Sequence, residues 1–214
     1  MKIHQASLML LSLFICACHP TEERKIAPKE KSAPIATSNQ EPSPNSREGL
    51  ITAIQALTQA MAKKDKSAIL SHFNFPLADS SVNFFEVDSI FDAKRVANDG
   101  AITRAMFDDS FASIYEKTEM AEFKNLVKFL KVGDLADKND ISYDHIIKDD
   151  GCYYFYGIAI NSSNEVRLSY GTNSNDVYRQ SHPDEEEICS EFGVAWIFKF
   201  DGKKLQFLKH QIAG

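Results

Sequence analysis

The sequence lacks the glycine-rich loops that bind phosphates in dinucleotide-binding proteins and in P-loop proteins. It also lacks a basic excess, because 24 Lys and Arg residues stand against 30 Asp and Glu residues and leave a net charge of −6. Nucleic-acid-binding proteins usually carry the opposite balance. No internal repeat and no second linker divides the part of the sequence that follows residue 48. We therefore expect one folded domain with no cofactor and no nucleic-acid partner.

A long apolar run is missing too. The apolar stretch of residues 6–15, ASLMLLSLFI, is far shorter than the roughly 20 residues that a membrane-spanning helix needs. It follows Lys2 and precedes the small residues Cys16, Ala17 and Cys18. A charged start, an apolar middle and a small-residue end are the parts of a removable signal peptide.

The segment Ile15-Cys16-Ala17-Cys18 resembles the lipobox of bacterial lipoprotein signals, in which a branched apolar residue and two small residues precede the cysteine that receives lipid. The resemblance implies cleavage before Cys18, a diacylglycerol on its thiol and an acyl chain on its new amino group. Several acyl chains anchor a protein stably, whereas one chain anchors it marginally. Because His19 rather than aspartate follows Cys18, the resemblance also implies a place at the outer membrane, facing the periplasm.

Two other interpretations of these cysteines stay open. The segment could be an ordinary secretory signal whose cysteines are incidental. It could also be a C-x-C metal site, but no nearby cluster of histidine or cysteine completes four ligands at zinc-type spacing. We therefore predict no metal site.

Residues 19–48 hold five of the seven prolines but no glycine and no aromatic residue. Such a segment cannot bury enough apolar area to offset the entropy lost on ordering. The sequence thus divides into a signal peptide (1–17), a lipidated cysteine with a disordered linker (18–48) and a folded domain (49–214).

Helical spacing dominates the first half of the domain. A stripe at steps of four, three and four predicts an amphipathic helix: Leu50, Ile54, Leu57 and Met61. Asp65 is placed to cap a second helix, KSAILSHF, which Pro76 ends. Helical spacing returns over 101–130, where a register shift near Thr118 predicts two helices or one bent helix. Between these regions, SVNFFEV (81–87) predicts a strand.

Strand patterns dominate the second half. Short turns, NSSN and DGK, predict that neighbouring segments pair as hairpins, and a long connection of residues 171–188 separates the two pairs. The predicted strands are 152–160, 165–170, 193–200 and 204–212. Helices first and an antiparallel meander last predict an α+β domain whose N-terminal helices pack on a curved, mainly antiparallel sheet. One face of the third strand should meet the helices: Val194, Trp196, Phe198 and Phe200.

The break KKDKSAIL after an initial helix and the closing WIFKFDGKKLQFLKHQIAG resemble the nuclear transport factor two-like superfamily, also called SnoaL-like. The closing W-x-F-x-x-D-G-K pattern is the most specific part of the resemblance. It implies a cone-like fold in which a curved sheet wraps a long helix and leaves a pocket. Members include isomerases, dehydratases, toxin-neutralising proteins and binding modules, so the fold by itself implies no chemistry.

With Cys18 acylated, Cys152 and Cys189 remain as an even pair in a compartment where disulfides persist. In a simple meander their strands would be two steps of about 4.8 Å apart, which is too far for a disulfide. We predict the bond, with one cysteine in a loop.

The richest titratable patch is Tyr143-Asp144-His145, followed by Asp149 and Asp150, just before the strand at 152–160. A histidine beside carboxylates could act as a general base. The alternative is a solvated loop with a capping aspartate. Without a recognisable Ser-His-Asp or Cys-His set, we assign no catalytic residue.

Two further groups are candidates for binding. The acidic run Asp184, Glu185, Glu186 and Glu187 could steer a basic partner, but it lacks the alternating ligands and the glycine of a calcium loop. Strand alternation puts Tyr154 and Tyr156 on one face, where they could line a pocket or simply pack with their hydroxyls at its rim. The sequence therefore predicts a lipid-anchored, non-catalytic module that binds a protein; the alternative is a small-molecule-binding or enzymatic cone with a pocket near His145.

Overall fold

The computed structural model describes residues 46–84, 86–185 and 188–214. The predicted signal peptide, Cys18 and the linker up to residue 45 lie outside the described residues. Two residues of the acidic run, Glu186 and Glu187, do so as well.

The first helix, α1 (Arg47–Ala62), buries the predicted apolar stripe, whose members are at most 2% exposed: Leu50, Ile54, Leu57 and Met61. The Ser46 side chain caps the helix by accepting a hydrogen bond from the Gly49 backbone N–H at 3.0 Å. Because α1 begins at Arg47, it takes in the last two residues of the predicted linker.

The second helix, α2 (Lys66–Leu70), is capped by Asp65 as predicted, through a bond of 3.1 Å from the Ala68 N–H. It ends at Leu70 rather than near Pro76, because Ser71 and His72 continue only as a turn.

The predicted strand at 81–87 is wrong. Asp79–Ser81 is a 3-10 turn, and the described residues that follow belong to no strand. Val82, Phe84 and Val87 are nevertheless at most 4% exposed. Their apolar character reflects burial in the core, where the Phe84 ring lies 6.0 Å from Phe107 and 6.1 Å from Trp196, and not pairing in a sheet. Composition cannot make that distinction. Helix α3 (Ser89–Ala97), which the sequence analysis did not predict, follows this segment.

The helical region 101–130 breaks near Thr118, as the register shift predicted, but it also breaks at Ser110, so it forms three helices and not two. It consists of α4 (Arg104–Asp109), α5 (Phe111–Lys117) and α6 (Phe123–Phe129), with a 3-10 turn, Met120–Glu122, between the last two. Helix α5 ends at Lys117, and Glu119 adopts a left-handed conformation with φ of 59°. The chain therefore turns a sharp corner between α5 and α6.

Five strands form one antiparallel, open sheet in chain order. They are β1 (Asp140–Ile146), β2 (Cys152–Ile160), β3 (Glu165–Ser174), β4 (Phe192–Phe200) and β5 (Leu205–Ala213). Sequence analysis missed β1, because the strand is short, no residue of it is buried, and three of its seven residues are Asp or Ser. It also missed α7 (Asp176–Ser181) in the long connection between β3 and β4. The domain is α+β, as predicted.

The helices cover one face of the sheet, and aromatic rings join the two layers. On β4 the predicted face is buried, with at most 6% exposure of each member: Val194, Trp196, Phe198 and Phe200. Phe73, after α2, lies 4.6 Å from Phe207 of β5 and 5.0 Å from Phe107 of α4, measured between ring centroids.

The structure joins Cys152 to Cys189 in a disulfide, with Cα atoms 5.0 Å apart. Cys152 opens β2, whereas Cys189 lies in the loop before β4. This is the loop placement that the sequence argument required. The bond attaches the end of the α7 connection to the sheet.

Within the described ranges, no helix is long and apolar enough to cross a membrane.

Candidate functional site

An open groove of about 310 Å³ runs between helix α6 and the strands β1 and β2. It brings together three residues singled out in the sequence, His145, Tyr154 and Tyr156. The helical side adds residues from α6 and the turn before it, and the loop after β1 adds one more: Glu122, Asn125, Lys128, Phe129 and Ile147. A second open groove of about 490 Å³ lies on the other side of Phe129, against Ile141 of β1.

Phe129 is the central ring of this site. Its centroid lies 4.9 Å from that of Tyr143, with the rings 11° from parallel, and 4.8 Å from the His145 ring. The two β1 rings are neighbours on one face because their positions differ by two. The Lys128 ammonium lies 4.8 Å from the Phe129 centroid, within cation–π range. The α6 end is thereby held against β1 by stacking.

Glu122 places a carboxylate in the groove. Its Oε2 accepts a hydrogen bond from the Asn125 side-chain N–H at 2.8 Å and another from the Tyr156 hydroxyl at 3.2 Å. Burial raises the pKa of Tyr156 well above its usual range, and the Glu122 charge and hydrogen bond raise it further. Tyr156 therefore acts as a fixed hydroxyl donor and not as an acid or base near neutral pH.

The corner between α5 and α6 is held by donors from two further strands. The Trp196 indole N–H of β4 donates to the Thr118 carbonyl oxygen at 3.3 Å. The Tyr170 hydroxyl of β3 bonds to Glu119, and burial, followed by the Glu119 charge, raises the pKa of Tyr170. Side chains of the sheet therefore hold Glu119 through Tyr170 and Glu122 through Tyr156. These contacts fix the position of α6 over β1.

The patch around His145 separates in the structure. Tyr143, Asp144 and His145 belong to strand β1 and not to a loop before the first strand. Because side chains alternate along a strand, Asp144 lies on the opposite face of the sheet from His145. Asp150 accepts a hydrogen bond from the Cys152 backbone N–H at 3.0 Å. The contacts of the His145 ring are stacking contacts with Phe129 and Tyr143. The sequence neighbours that suggested a general base are therefore not brought together.

The tyrosines of β2 follow the predicted alternation. Tyr154 and Tyr156 line the groove, while Tyr153 lies on the other face and accepts a hydrogen bond from Asn173 at 3.1 Å. Tyr156 is 2% exposed and packs 5.4 Å from Phe129, so both readings of these rings, packing and pocket lining, hold for the same residue.

The described part of the acidic run lies apart from the groove. Asp184 and Glu185 are exposed and follow α7, where the Tyr178 hydroxyl donates to Glu185 at 3.4 Å. The Tyr178 and His182 rings stack at 3.9 Å. Neither carboxylate lines the groove. Across the described residues, no group of three or more His, Cys, Asp or Glu side chains is placed to hold a metal ion.

Sequence reasoning missed Glu122 and Phe129. Phe129 lies outside the predicted helical stripe, and Glu122 reads as an ordinary surface residue. Their contacts with β1 and β2 join positions 14 or more residues apart, for which the sequence carries no local signal. Comparisons with protein-family models, curated proteins and solved structures found no match.

Proposed function

We propose that this chain is a lipid-anchored protein of the bacterial envelope whose domain binds a protein partner and catalyses no reaction. The docking surface is the β1 surface, defined as the strand Asp140–Ile146, the following Ile147 and the two grooves beside Phe129. One observation carries the proposal: Tyr143, which stacks on Phe129, and Ile147, which lines the smaller groove, remain 42% and 41% exposed. Contiguous exposed apolar residues with a polar rim are typical of protein-interaction sites.

The chemistry of the groove favours binding over catalysis. The ring of His145 stacks on Phe129, and the carboxylate beside it in sequence lies on the other face of β1. Tyr156 keeps its proton because its pKa is raised. These groups orient and bury a ligand well, but they do not form a nucleophile with its base.

The anchor and the fold family belong to the same proposal. Ile15, Cys16, Ala17 and Cys18 support lipidation at Cys18 and a place at the outer membrane, facing the periplasm. The closing segment from Trp196 to Lys203 supports membership of the nuclear transport factor two-like superfamily. We favour a scaffold or envelope-maintenance role, with neutralisation of a hydrolytic toxin as the specific case to examine.

A second candidate function is a small-molecule-binding or enzymatic site near His145. The 310 Å³ groove reaches the lower range of ligand pockets, and it has convergent polar groups in Glu122, Asn125 and Tyr156. The openness of the groove to solvent along β1 makes this the weaker candidate.

The test is photo-crosslinking in living cells with benzoylphenylalanine in place of Tyr143. Leu208 on β5 is the matched control, because it is 40% exposed at the opposite edge of the sheet. We expect a single protein to crosslink from position 143 and not from position 208. Equal crosslinking from both positions, or none from either, would exclude the β1 surface as the docking site.

The second candidate has its own readout. A His145→Gln variant should keep the crosslink from position 143 and keep cellular function if the domain only binds. Loss of cellular function with the crosslink intact would instead favour chemistry at His145.

A further inference from the structure

The two edges of the sheet differ in how they are protected. At the β5 edge, the His72 carbonyl accepts a hydrogen bond from the Phe207 backbone N–H at 2.8 Å, and the pairing with β4 is irregular at Ile197 and Phe198. Lys209 adds an exposed charge in the middle of the strand. A covering segment, a bulge and a lysine are the devices that prevent an edge strand from pairing with another chain.

Across the described residues, the β1 edge has no backbone hydrogen bond from a covering segment, no bulge and no lysine; the charges that it carries are those of Asp140 and Asp144. Its pairing with β2 runs without a register shift from Asp140 to Ile146, and it contains no proline and no lysine. Within the sheet β1 has a strand neighbour on one side only. The backbone groups on its other side are therefore available to a further strand.

The side chains of β1 present two different rows. Ile141, Tyr143 and His145 face the helices, with a groove on either side of Phe129. On the opposite face Asp140 and Asp144 are exposed, and neither forms an ion pair with a described residue. Residues directly opposite each other in an antiparallel pair share a face, and opposite charges there stabilise the pair.

We propose that an extended segment of the partner protein adds to β1 as a sixth strand. It carries Lys or Arg opposite Asp140 and Asp144, and an apolar side chain that enters the 310 Å³ groove between Phe129 and Ile147. The larger groove, which Lys131 and Lys138 line, faces the polar part of the segment. Strand addition takes its affinity from backbone hydrogen bonds and its specificity from alternate side chains. This inference rests on the proposed function, since it specifies how the partner docks at the β1 surface.

A second copy of this chain fits the same edge less well. A symmetric pair centred on Ser142 places Asp140 opposite Asp144, and one centred on Asp144 places that carboxylate opposite itself. Like charges in those positions destabilise a pair. A pair centred on Tyr143 avoids these clashes but brings no cation to either aspartate, and one centred on Ile141 reaches a cation only at Lys138, which lies outside β1. Charge complementarity therefore selects a basic segment from another protein.

The test uses the full chain in detergent and a labelled, capped peptide of alternating lysine and valine, six residues long. Binding is followed by fluorescence anisotropy, and hydrogen exchange is followed by mass spectrometry. We expect the peptide to bind and to protect amides of residues 140–146, and a matched peptide of glutamate and valine not to bind. The double variant Asp140→Asn/Asp144→Asn should weaken binding by about 2- to 30-fold.

The control variant Asp92→Asn/Asp99→Asn removes two carboxylates from α3 and the turn after it, and so changes the net charge equally. We expect it to bind the lysine peptide within about twofold of wild type. Equal losses of peptide affinity in both double variants would show that the peptide responds only to the net charge of the protein. That result would overturn the inference, as would absent protection of β1 or binding of the glutamate peptide. Protection of β1 without peptide, dependent on protein concentration, would assign the edge to a second copy and also overturn it.

The two proposals fail separately. If position 143 crosslinks to a protein but the lysine peptide leaves β1 unprotected, the docking surface stands and strand addition is wrong. If position 143 yields no crosslink, the docking surface itself is wrong, whatever the peptide does.

Discussion

At the scale of single residues, His210 of β5 is the least satisfied group in the core. It is 2% exposed, and neither of its ring nitrogens has a hydrogen-bond partner. Its ring lies 4.4 Å from that of Trp196 and 5.7 Å from that of Phe84. Burial lowers the pKa of His210 to about 4, because the charged imidazolium is poorly solvated there. The folded domain therefore holds this histidine neutral.

Acid should accordingly destabilise the domain through His210. The unfolded chain takes up the proton near its usual pKa of 6.5, whereas the folded chain does so only near 4. The free energy of unfolding is unaffected by His210 above pH 6.5. It decreases as the pH falls below 6.5, by about 3 kcal/mol once the pH is below 4. Urea denaturation at several pH values should show a smaller loss for His210→Phe than for wild type.

His72, whose pKa is also lowered by burial, contributes in the same direction, so some pH dependence should remain in that variant. The control is His182→Gln, at an exposed position, which should leave the pH dependence of stability unchanged. An identical loss in wild type and in His210→Phe would mean that His210 does not carry the effect.

At the scale of elements, the face of the sheet opposite the helices depends on glycine. Gly171 of β3 lies under the Phe155 ring of β2 and opposite Gly193 of β4. A Cβ atom at position 171 would lie 2.6 Å from Phe155 Cζ and would collide with the Phe192 carbonyl oxygen. The backbone cannot easily move away there, because it pairs with a strand on each side.

We expect Gly171→Ala to lower the free energy of unfolding by about 1–3 kcal/mol, as overpacking usually does. Gly133→Ala is the matched control, because a Cβ at position 133 meets nothing within 4 Å. Its effect should stay below about 1 kcal/mol. Urea denaturation of the two variants decides the matter, and equal effects would show that Gly171 is not required by packing.

The connection between β3 and β4 is fixed to the sheet by a hydrogen-bonding side chain and by the disulfide. The Asn175 side chain caps α7 and donates to the carbonyl oxygens of Ile147 and Asp150, at 3.0 and 2.8 Å. The disulfide then closes a loop across a sequence separation of 37. Reduction should lower the free energy of unfolding by about 2–4 kcal/mol.

The measurement is urea denaturation with and without reductant. The variant Cys152→Ser/Cys189→Ser should unfold at the midpoint of the reduced wild type and should not respond to reductant. A wild type whose midpoint ignores complete reduction would show that the bond contributes nothing to stability.

At the scale of the whole molecule, the proposed lipid on Cys18 decides where the domain works. The composition of residues 19–48 predicts a flexible linker, which would let an anchored domain search the space near the membrane. We expect wild type to fractionate with membranes and Cys18→Ala to leave them. Cys16→Ala is the control, because Cys16 leaves with the signal peptide and alanine is equally small. Membrane fractionation of Cys18→Ala like that of wild type would exclude the anchor.

Much of the helical and strand pattern could be predicted from short-range periodicity. The stripe from Leu50 to Met61, the cap at Asp65 and the break near Thr118 all occur as expected. Predictions failed where local pattern and tertiary environment disagree. Strand β1 has no buried residue, and Val82, Phe84 and Val87 are buried without pairing in a strand.

The sequence by itself determined α1, the start of α2, the inward face of β4 and the pairing of Cys152 with Cys189, but it gave no sign of α3. Each follows from spacing within one segment or from a count of cysteines. Only the tertiary structure decided that Phe129 stacks on Tyr143 and His145, that Glu122 meets Tyr156, and that Asp144 faces away from His145. Those relations depend on how α6 crosses the sheet and on the two-residue period of β1. They arise when distant segments pack together, and no local pattern of residues encodes that packing.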